Sequence, residues 1–259
     1  MSSAVATHLI AAALAQQSLT PQPTPRPEDT EVWSPEPPVV TPGPYTAKPK
    51  PPSDAIILFD GKDLGEWVSA KDGTPAKWTV ADGVVTVKKG TGNIQTRRKF
   101  TDYQLHLEWR IPPNITGSGQ ARGNSGLFLA STGDGDAGYE LQIVDSYANK
   151  TYVNGQAASI YKQHPPLANA MRPPGEWQVY DVVWTAPRFN VDGTLKSPAS
   201  LTAFHNGVLV QNHAILAGET LYIGKPSYRA HGPAPIKLQD HGDPSEAISF
   251  RNIWVRELK

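Results

Sequence analysis

The chain has 259 residues, 24 Lys and Arg against 24 Asp and Glu, no cysteine, 22 Gly and 25 Pro. Balanced charge without basic runs excludes nucleic acid as the main partner, because phosphate binding needs concentrated Lys and Arg; a neutral, hydrated ligand such as a glycan fits better. The missing cysteines exclude disulfides, thiolate metal sites and cysteine nucleophiles, and leave stability to a sizeable hydrophobic core.

Residues 1–20 contain a short Ala-rich apolar segment, 4–15, that ends in Ala13-Leu14-Ala15 before Gln16. This is the pattern of a secretory signal with a small-residue cleavage site, though no Lys or Arg precedes Arg26, and it sets the expectation of a secreted or periplasmic protein. A segment of twelve residues is too short for a bilayer, which takes about 20, and nothing later is longer, so membrane insertion is not expected. Residues 21–53 are dominated by Pro with Thr, Glu and Lys. That composition favours extended polyproline II and reads as a linker, with Trp33 and Tyr45 expected to be exposed on it.

Residues 54–259 are expected to form one all-β domain, a normal size for a single unit. Ile56-Ile57-Leu58-Phe59 opens it, and Asp60-Gly61-Lys62-Asp63-Leu64 turns toward Trp67. Strands follow at 78–81 and 84–87, joined by Asp82-Gly83, a hairpin signal, and then at 93–96, 103–111 and 125–129. In 103–111 the residues Gln104, His106, Glu108 and Arg110 share one face and Leu105, Leu107, Trp109 and Ile111 the other, which predicts a strand with one wet and one buried face.

The stretch 139–145 alternates in the same way, so Glu140 and Gln142 project together while Leu141 and Ile143 point into a core. Residues 147–174 read as a loop-rich region in which Lys162 and His164 could close over a ligand. Strands resume at 177–186, 201–204, 208–211, 236–238 and 248–257, with Asn206-Gly207 the strongest hairpin of the chain. Trp177, Trp184 and Trp254 are expected in the core, and Arg251 in a structural role. No helical period of ten or more residues stands out in the first half. Many short antiparallel strands in a chain of this size predict a two-sheet sandwich, a jelly roll.

Three polar groupings carry candidate chemistry. Glu140 and Asp145 would lie on opposite faces of a regular strand, and a bulge would bring Asp145 round to join Glu140 and Gln142. Gln239 and His241 share a face, and an imidazole suits proton transfer near neutral pH or metal ligation. Arg110, Asn124, Tyr161 and Lys162 complete the set of groups able to hold substrate oxygens. For Arg110 the competing reading is an ion pair, for Asn124 a satisfied turn, for Lys162 a solvated side chain.

An ordered series of short landmarks spans residues 56–258. It runs through Leu58-Phe59-Asp60-Gly61-Lys62-Asp63-Leu64, Trp67, Trp78, Asp82-Gly83, Glu108-Trp109-Arg110 and Gly123-Asn124-Ser125-Gly126. It continues with Tyr139-Glu140-Leu141-Gln142, Gly175-Glu176-Trp177, His205-Asn206-Gly207, Leu238-Gln239-Asp240-His241-Gly242 and Phe250-Arg251-Asn252-Ile253. Together they resemble the 3-keto-disaccharide hydrolase family, whose fold is a concanavalin A-like sandwich. The resemblance implies cleavage of glycosides already oxidised at carbon 3, where the keto group makes the carbon 2 proton removable and lets the carbon 1 oxygen leave by elimination. Such a site needs a base, an acid and electrophilic stabilisation of an enolate. Glu140 and His241 are then the expected proton-transfer pair, with either as base. Gln142, Gln239, Asn124, Arg110, Tyr161 and Lys162 are expected to bind sugar oxygens, and Asp145 to orient the substrate or ligate a metal. Oxygen and imidazole donors would suit a divalent cation, although no compact ligand motif is present. Two rivals are an endo-glucanase of the laminarinase type using Glu140 and Asp145, and a non-catalytic carbohydrate-binding module. The first needs carboxyl groups about 5 to 5.5 Å apart; the second more typically exposes an aromatic platform.

Overall fold

The computed structural model describes residues 24–45 and 50–259, so the apolar segment 4–15 lies outside the described residues. Fifteen strands follow in chain order: β1 (Ile56–Phe59), β2 (Trp67–Ser69), β3 (Thr79–Ala81), β4 (Val84–Thr86), β5 (Ile94–Thr96), β6 (Tyr103–Arg110), β7 (Ser125–Ser131) and β8 (Gly138–Ile143). After a long loop come β9 (Trp177–Thr185), β10 (Arg188–Phe189), β11 (Leu195–Ser197), β12 (Ser200–His205), β13 (Val208–Ile215), β14 (Lys237–Leu238) and β15 (Ser249–Glu257). The larger sheet has the order β13-β12-β9-β6-β15-β4-β3, with β1 also paired to β15; the smaller sheet of the sandwich has the order β2-β5-β14-β7-β8, and β10 and β11 form a separate two-stranded ribbon. Pairing within both is antiparallel, and the two-sheet jelly roll expected from the sequence is the fold that forms. The Asp82-Gly83 and Asn206-Gly207 turns join β3 to β4 and β12 to β13. All four residues have positive φ, as the tight hairpin turn that follows strand twist requires.

The core lies between the sheets. Leu105, Leu107 and Trp109 of β6 and Tyr180, Val182 and Trp184 of β9 are buried, as are Leu127 and Leu129 of β7 and Tyr139, Leu141 and Ile143 of β8. Burial of each such side chain stabilises by about 1.5–3 kcal/mol. Two tyrosines also stitch the layers together. Tyr103 Oη donates to Leu129 O at 2.6 Å and Tyr180 Oη to Gln142 O at 2.8 Å. With Tyr139, Leu141 and Ile143 fixed inward, the two-residue period of β8 leaves Glu140 and Gln142 on the outer face of the smaller sheet.

The outer face of β6 is not wet. His106 and Glu108 are buried there. A bulge in β15 accounts for part of this, because Arg251 pairs with Glu108 and Trp254 with His106, leaving an extra residue, with Asn252 at φ 48°. Trp254 therefore faces outward rather than into the core and stacks on His106, 5.2 Å between ring centroids. Arg251 Nε donates to Glu108 Oε2 at 2.6 Å and Asn252 Nδ2 to Glu108 Oε1 at 2.8 Å. Burial pushes the Glu108 carboxyl up, but the hydrogen bonds from His106, Asn252 and Arg251 outweigh it and bring it down to about 2.

The described part of the Pro-rich segment opens with a 3-10 turn at Pro27–Thr30 and then runs without regular structure, strapped onto the domain. Val32 N donates to Asn154 Oδ1 at 2.9 Å, and Asn154 Nδ2 returns a bond to Thr30 O at 2.9 Å. Val40 and Asn169 exchange backbone bonds with Asn169 and Pro38, both at 3.0 Å. Arg172 donates to Gly43 O at 2.7 Å, and Tyr45 Oη donates to Glu108 Oε1 at 3.0 Å. Trp33, half exposed, meets the edge of Tyr152, and Tyr45 covers the Glu108 cluster. Composition registers the irregular backbone but not the partners that await it on the domain.

Candidate active site

On the outer face of the smaller sheet the strand register builds two rows of side chains. Lys237, Phe128 and Glu140 form one. Gly126 and Gln142 form the next, joined by Gln239, whose backbone N–H donates to Gly126 O at 3.1 Å. Glycine at 126 has a local reason: a Cβ there would lie 2.6 Å from Glu140 Oε1 and 2.8 Å from Phe128 Cε2. Its absence clears the space the carboxyl group occupies.

The free edge of β8 is covered by two loop segments. Residues 158–161 pair with it, Gln142 N donating to Ser159 O at 2.9 Å, Ala158 N to Gln142 O at 3.0 Å and Tyr161 N to Glu140 O at 3.2 Å. The loop-rich region from which Lys162 and His164 were expected to close over a ligand is thus packed and pinned, with Val153, Ala158 and Ile160 fully buried. Further along the edge Thr220 N donates to Gly138 O at 2.7 Å, and Thr220 Oγ1 accepts Glu140 N–H at 3.0 Å.

These elements enclose a cavity of about 290 Å³ that brings together Asn124, Glu140, Gln142, Tyr161, Gln239 and His241, and adds Asp136, Thr220 and Tyr222. Glu140 is only 6% exposed. Burial, with a further push from the Asp136 carboxylate and against the pull of Lys237, raises it to about 8, so at neutral pH it carries its proton. Lys237, in the same row as Glu140, donates to Gly135 O at 2.7 Å and Ala137 O at 2.8 Å with its ammonium 4.5 Å from the centre of the Phe128 ring. Burial brings it down to about 8.

His241 is oriented by a carboxylate two residues on, its Nδ1 lying 2.9 Å from Asp243 Oδ2. Burial pushes Asp243 up, but hydrogen bonds from His241 and Ser245 and the charge of Lys89 outweigh this and hold it below the usual carboxylate range. The backbone N–H of Asp243 also approaches Nδ1, at 3.3 Å. The shorter contact, to a carboxylate, favours the tautomer with the proton on Nδ1, which leaves Nε2 as the ring position open to a substrate. A protonated carboxyl group and an imidazole bordering one space are a pair able to donate and accept a proton.

The amides are partly committed. Asn124 Nδ2 donates to Gln120 O at 2.8 Å, Gln142 Nε2 to Gln120 Oε1 at 3.2 Å, and Gln142 Oε1 accepts Ile143 N–H at 2.8 Å. Gln239 Oε1 is buried and has no hydrogen-bond partner among the described residues. Tyr161 Oη shares a 2.6 Å hydrogen bond with Tyr152 Oη, and burial pushes its phenol up.

Three expected site residues lie elsewhere. Arg110 sits on the outer face of the larger sheet, its guanidinium 4.6 Å from the centre of the Trp177 ring, which Arg251 approaches to 3.9 Å. Trp177 is accordingly half-buried outside the core. Asp145 does not bulge round, because β8 ends at Ile143; it is buried against Arg122, Nε to Oδ2 2.8 Å, and accepts Tyr147 N–H at 3.0 Å. Lys162 points away from the cavity and donates to Pro27 O at 2.7 Å and Tyr222 O at 2.8 Å. Among the residues the sequence did not single out, Asp243 and Lys237 carried signals, the first in its spacing from His241 and the second in its outward register with Gln239. Asp136, Thr220 and Tyr222 arrive on loops and carried none.

Among the described residues no three His, Asp or Glu side chains converge as a metal-ligand group, and no helix among them is long and apolar enough to cross a membrane.

A jelly roll with an acid and an oriented imidazole sunk into the outer face of one sheet defines a class, that of the carbohydrate-active β-sandwich enzymes. The chain belongs to the 3-keto-alpha-glucoside-1,2-lyase-like domain family, whose sequence model matches residues 54–256. A curated relative, a 3-keto-disaccharide hydrolase of Bacteroides thetaiotaomicron, is 28% identical over 151 residues, 47% of this chain and 49% of the relative, so the match spans about half of that protein's length. A solved structure from Parabacteroides distasonis ATCC 8503, described as a proposed glycosyl hydrolase, is 54% identical with a TM-score of 0.75, covering 89% of this chain and 96% of that one. A second from the same organism, 21% identical with a TM-score of 0.56 over 80% and 94% of the two chains, attests the fold alone.

Proposed function

We propose that this protein cleaves the glycosidic bond of 3-keto-glycosides by elimination across carbons 1 and 2, followed by hydration. The observation that carries the reading is the meeting in one cavity of the buried Glu140 carboxyl group and the His241 imidazole, which Asp243 holds at Nδ1. His241 Nε2 takes the carbon 2 proton, and the electron pair of that bond moves into an enolate at the keto oxygen. The enolate collapses back to the ketone, forming the carbon 1 to carbon 2 double bond and breaking the bond to the glycosidic oxygen, which takes the proton of Glu140. Water then adds at carbon 1 of the enone and a proton returns to carbon 2, giving the free 3-keto sugar and making the sum hydrolysis. No oxocarbenium-like state is required, which suits a cavity that Asp145, the nucleophile a retaining glucanase would have used, does not reach. The amides of Asn124, Gln142 and Gln239 and the phenol of Tyr161 are the donors for sugar oxygens and for the enolate. No step is routed through a metal. We also propose export, on the pattern of residues 4–15; N-terminal sequencing of the mature protein checks it.

The test offers the purified protein a 3-keto-glucoside beside its unoxidised parent, each with and without a chelator. Cleavage of the keto form alone is expected. Cleavage of the parent at a comparable rate would instead favour the endo-glucanase, binding without turnover the carbohydrate-binding module, and loss of activity with chelator would require a metal in the scheme.

A further inference from the structure

A second cavity, of about 460 Å³, adjoins the first and shares Asp136, Thr220 and Tyr222 with it. Each is on the scale of small-ligand sites, which start near 300 Å³. The shared wall lies on one side of Glu140: Thr220 Oγ1 accepts the backbone N–H of Glu140, and the Asp136 carboxylate helps it hold its proton through space. His241, Gln239 and Asn124 border only the first cavity. The base therefore faces one compartment, while the acid lies next to the junction of two.

The second compartment has the furnishings of a sugar site. Arg229 pairs with Glu219, NH2 to Oε2 3.3 Å, presenting a guanidinium and a carboxylate able to bind vicinal hydroxyls, and Tyr222 stands at the boundary 62% exposed. That tyrosine is not loosely tethered. Lys162, itself only 7% exposed, donates to the Tyr222 carbonyl and holds its ammonium 4.7 Å from the centre of the Tyr222 ring, while its remaining bond goes to Pro27 O on the strap. A fixed aromatic plane beside planar polar groups is what a pyranose face and its hydroxyls match, at low ordering cost.

Resting on the 3-keto-glycoside reading, we infer that the second cavity is the leaving-group subsite and that it takes a hydroxylated, sugar-sized aglycone. The oxidised ring occupies the first cavity with carbon 2 toward His241. The glycosidic oxygen lies at the junction, within reach of Glu140, and the departing sugar rests against Tyr222 and Arg229.

The test compares two substrates with the same oxidised glucosyl unit, a methyl 3-keto-glucoside and a 3-keto-glucosyl-glucose, on the full chain. The wild type is expected to prefer the disaccharide in kcat/KM by roughly tenfold or more, and Arg229→Gln to reduce that ratio by roughly tenfold, the scale of one charge-assisted hydrogen bond. The ratio is indifferent to a general loss of folded protein. Equal kcat/KM on the two substrates in the wild type, or an unchanged ratio in Arg229→Gln, would overturn the subsite. If the wild type cleaves neither substrate, the functional reading fails. The subsite is then judged by calorimetric titration with the unoxidised disaccharide: binding weakened severalfold by Arg229→Gln supports it, and equal binding overturns it.

Discussion

Replacing Gly126 by Ala separates the placement of Glu140 from the stability of the fold. The new methyl group would lie 2.6 Å from Glu140 Oε1, whereas ordinary contact begins at 3.4 Å, so the oxygen must retreat by about 0.8 Å; the Phe128 ring, at 2.8 Å, must shift too. The carboxyl group is the end of a flexible side chain and can yield without moving the backbone. The cost to folding is then that of mild overpacking, about 1–3 kcal/mol, or a melting point lower by a few degrees to roughly 10 °C. Catalysis is more exacting, since displacing a reacting group by about 1 Å costs on the order of a hundredfold. Gly126→Ala is therefore expected to lower kcat on a 3-keto-glucoside by about a hundredfold with a smaller change in KM, while thermal melts and circular dichroism report a folded protein. Wild-type kcat in a folded variant would refute the reasoning, because the acid would then not be working from the space above Gly126.

Three further outcomes follow from the same geometry. Asp243→Asn leaves the shape of the turn but removes the acceptor that sets the His241 tautomer, so kcat should fall by about a hundredfold or more, as His241→Ala also should, with substrate binding little changed; a loss below tenfold in both would remove His241 as the base. Glu140 keeps its proton in the folded chain to about pH 8 but releases it near its ordinary 4.5 when unfolded, so stability falls as pH rises between those values, by up to roughly 5 kcal/mol. Glu140→Gln should abolish most activity, flatten the loss of rate above about pH 8, and melt at a higher temperature than the wild type at pH 8; a lower melting point there would contradict the burial of an acid. Glu108 has the opposite sign, its folded value of about 2 lying below the ordinary 4.5. Its contribution is full above 4.5 and disappears as pH falls toward 2, so denaturant titrations of Glu108→Gln should differ from wild type by up to about 3 kcal/mol at pH 6 and converge near pH 2.

Alternation in β8 was legible because its period is two and its apolar half is long enough to fix the register, and the Asp-Gly and Asn-Gly turns named their own hairpins. The same alternation in β6 divided the faces correctly yet misjudged the outer one as wet. Which face is covered depends on what the rest of the chain lays over it, here Trp254, Arg251 and Tyr45, and no local pattern encodes that. Arg110 was drawn to the site by its polarity, although its register partner Trp177 already offered the guanidinium a place. Asp145 required a bulge for which the stretch around Val144 gave no turn residue. Gln239 and His241 were legible as a pair sharing a face, whereas Tyr222 and Asp136 reach the cavity only because two distant loops meet at the edge of β8.

The strap has a bearing on the order in which the molecule is made. It is synthesised before the residues it binds: Asn154, Lys162, Asn169 and Arg172 lie more than a hundred residues downstream of its contacts with them. Until they emerge it must wait beside growing strands whose edges are open to any partner. Proline gives it a fixed φ and few N–H groups to offer a ladder, so the waiting segment makes a poor intruder. The composition that resembles a spacer thus suits a segment that must not compete for a strand edge before Lys162 joins it to the loop of Tyr222.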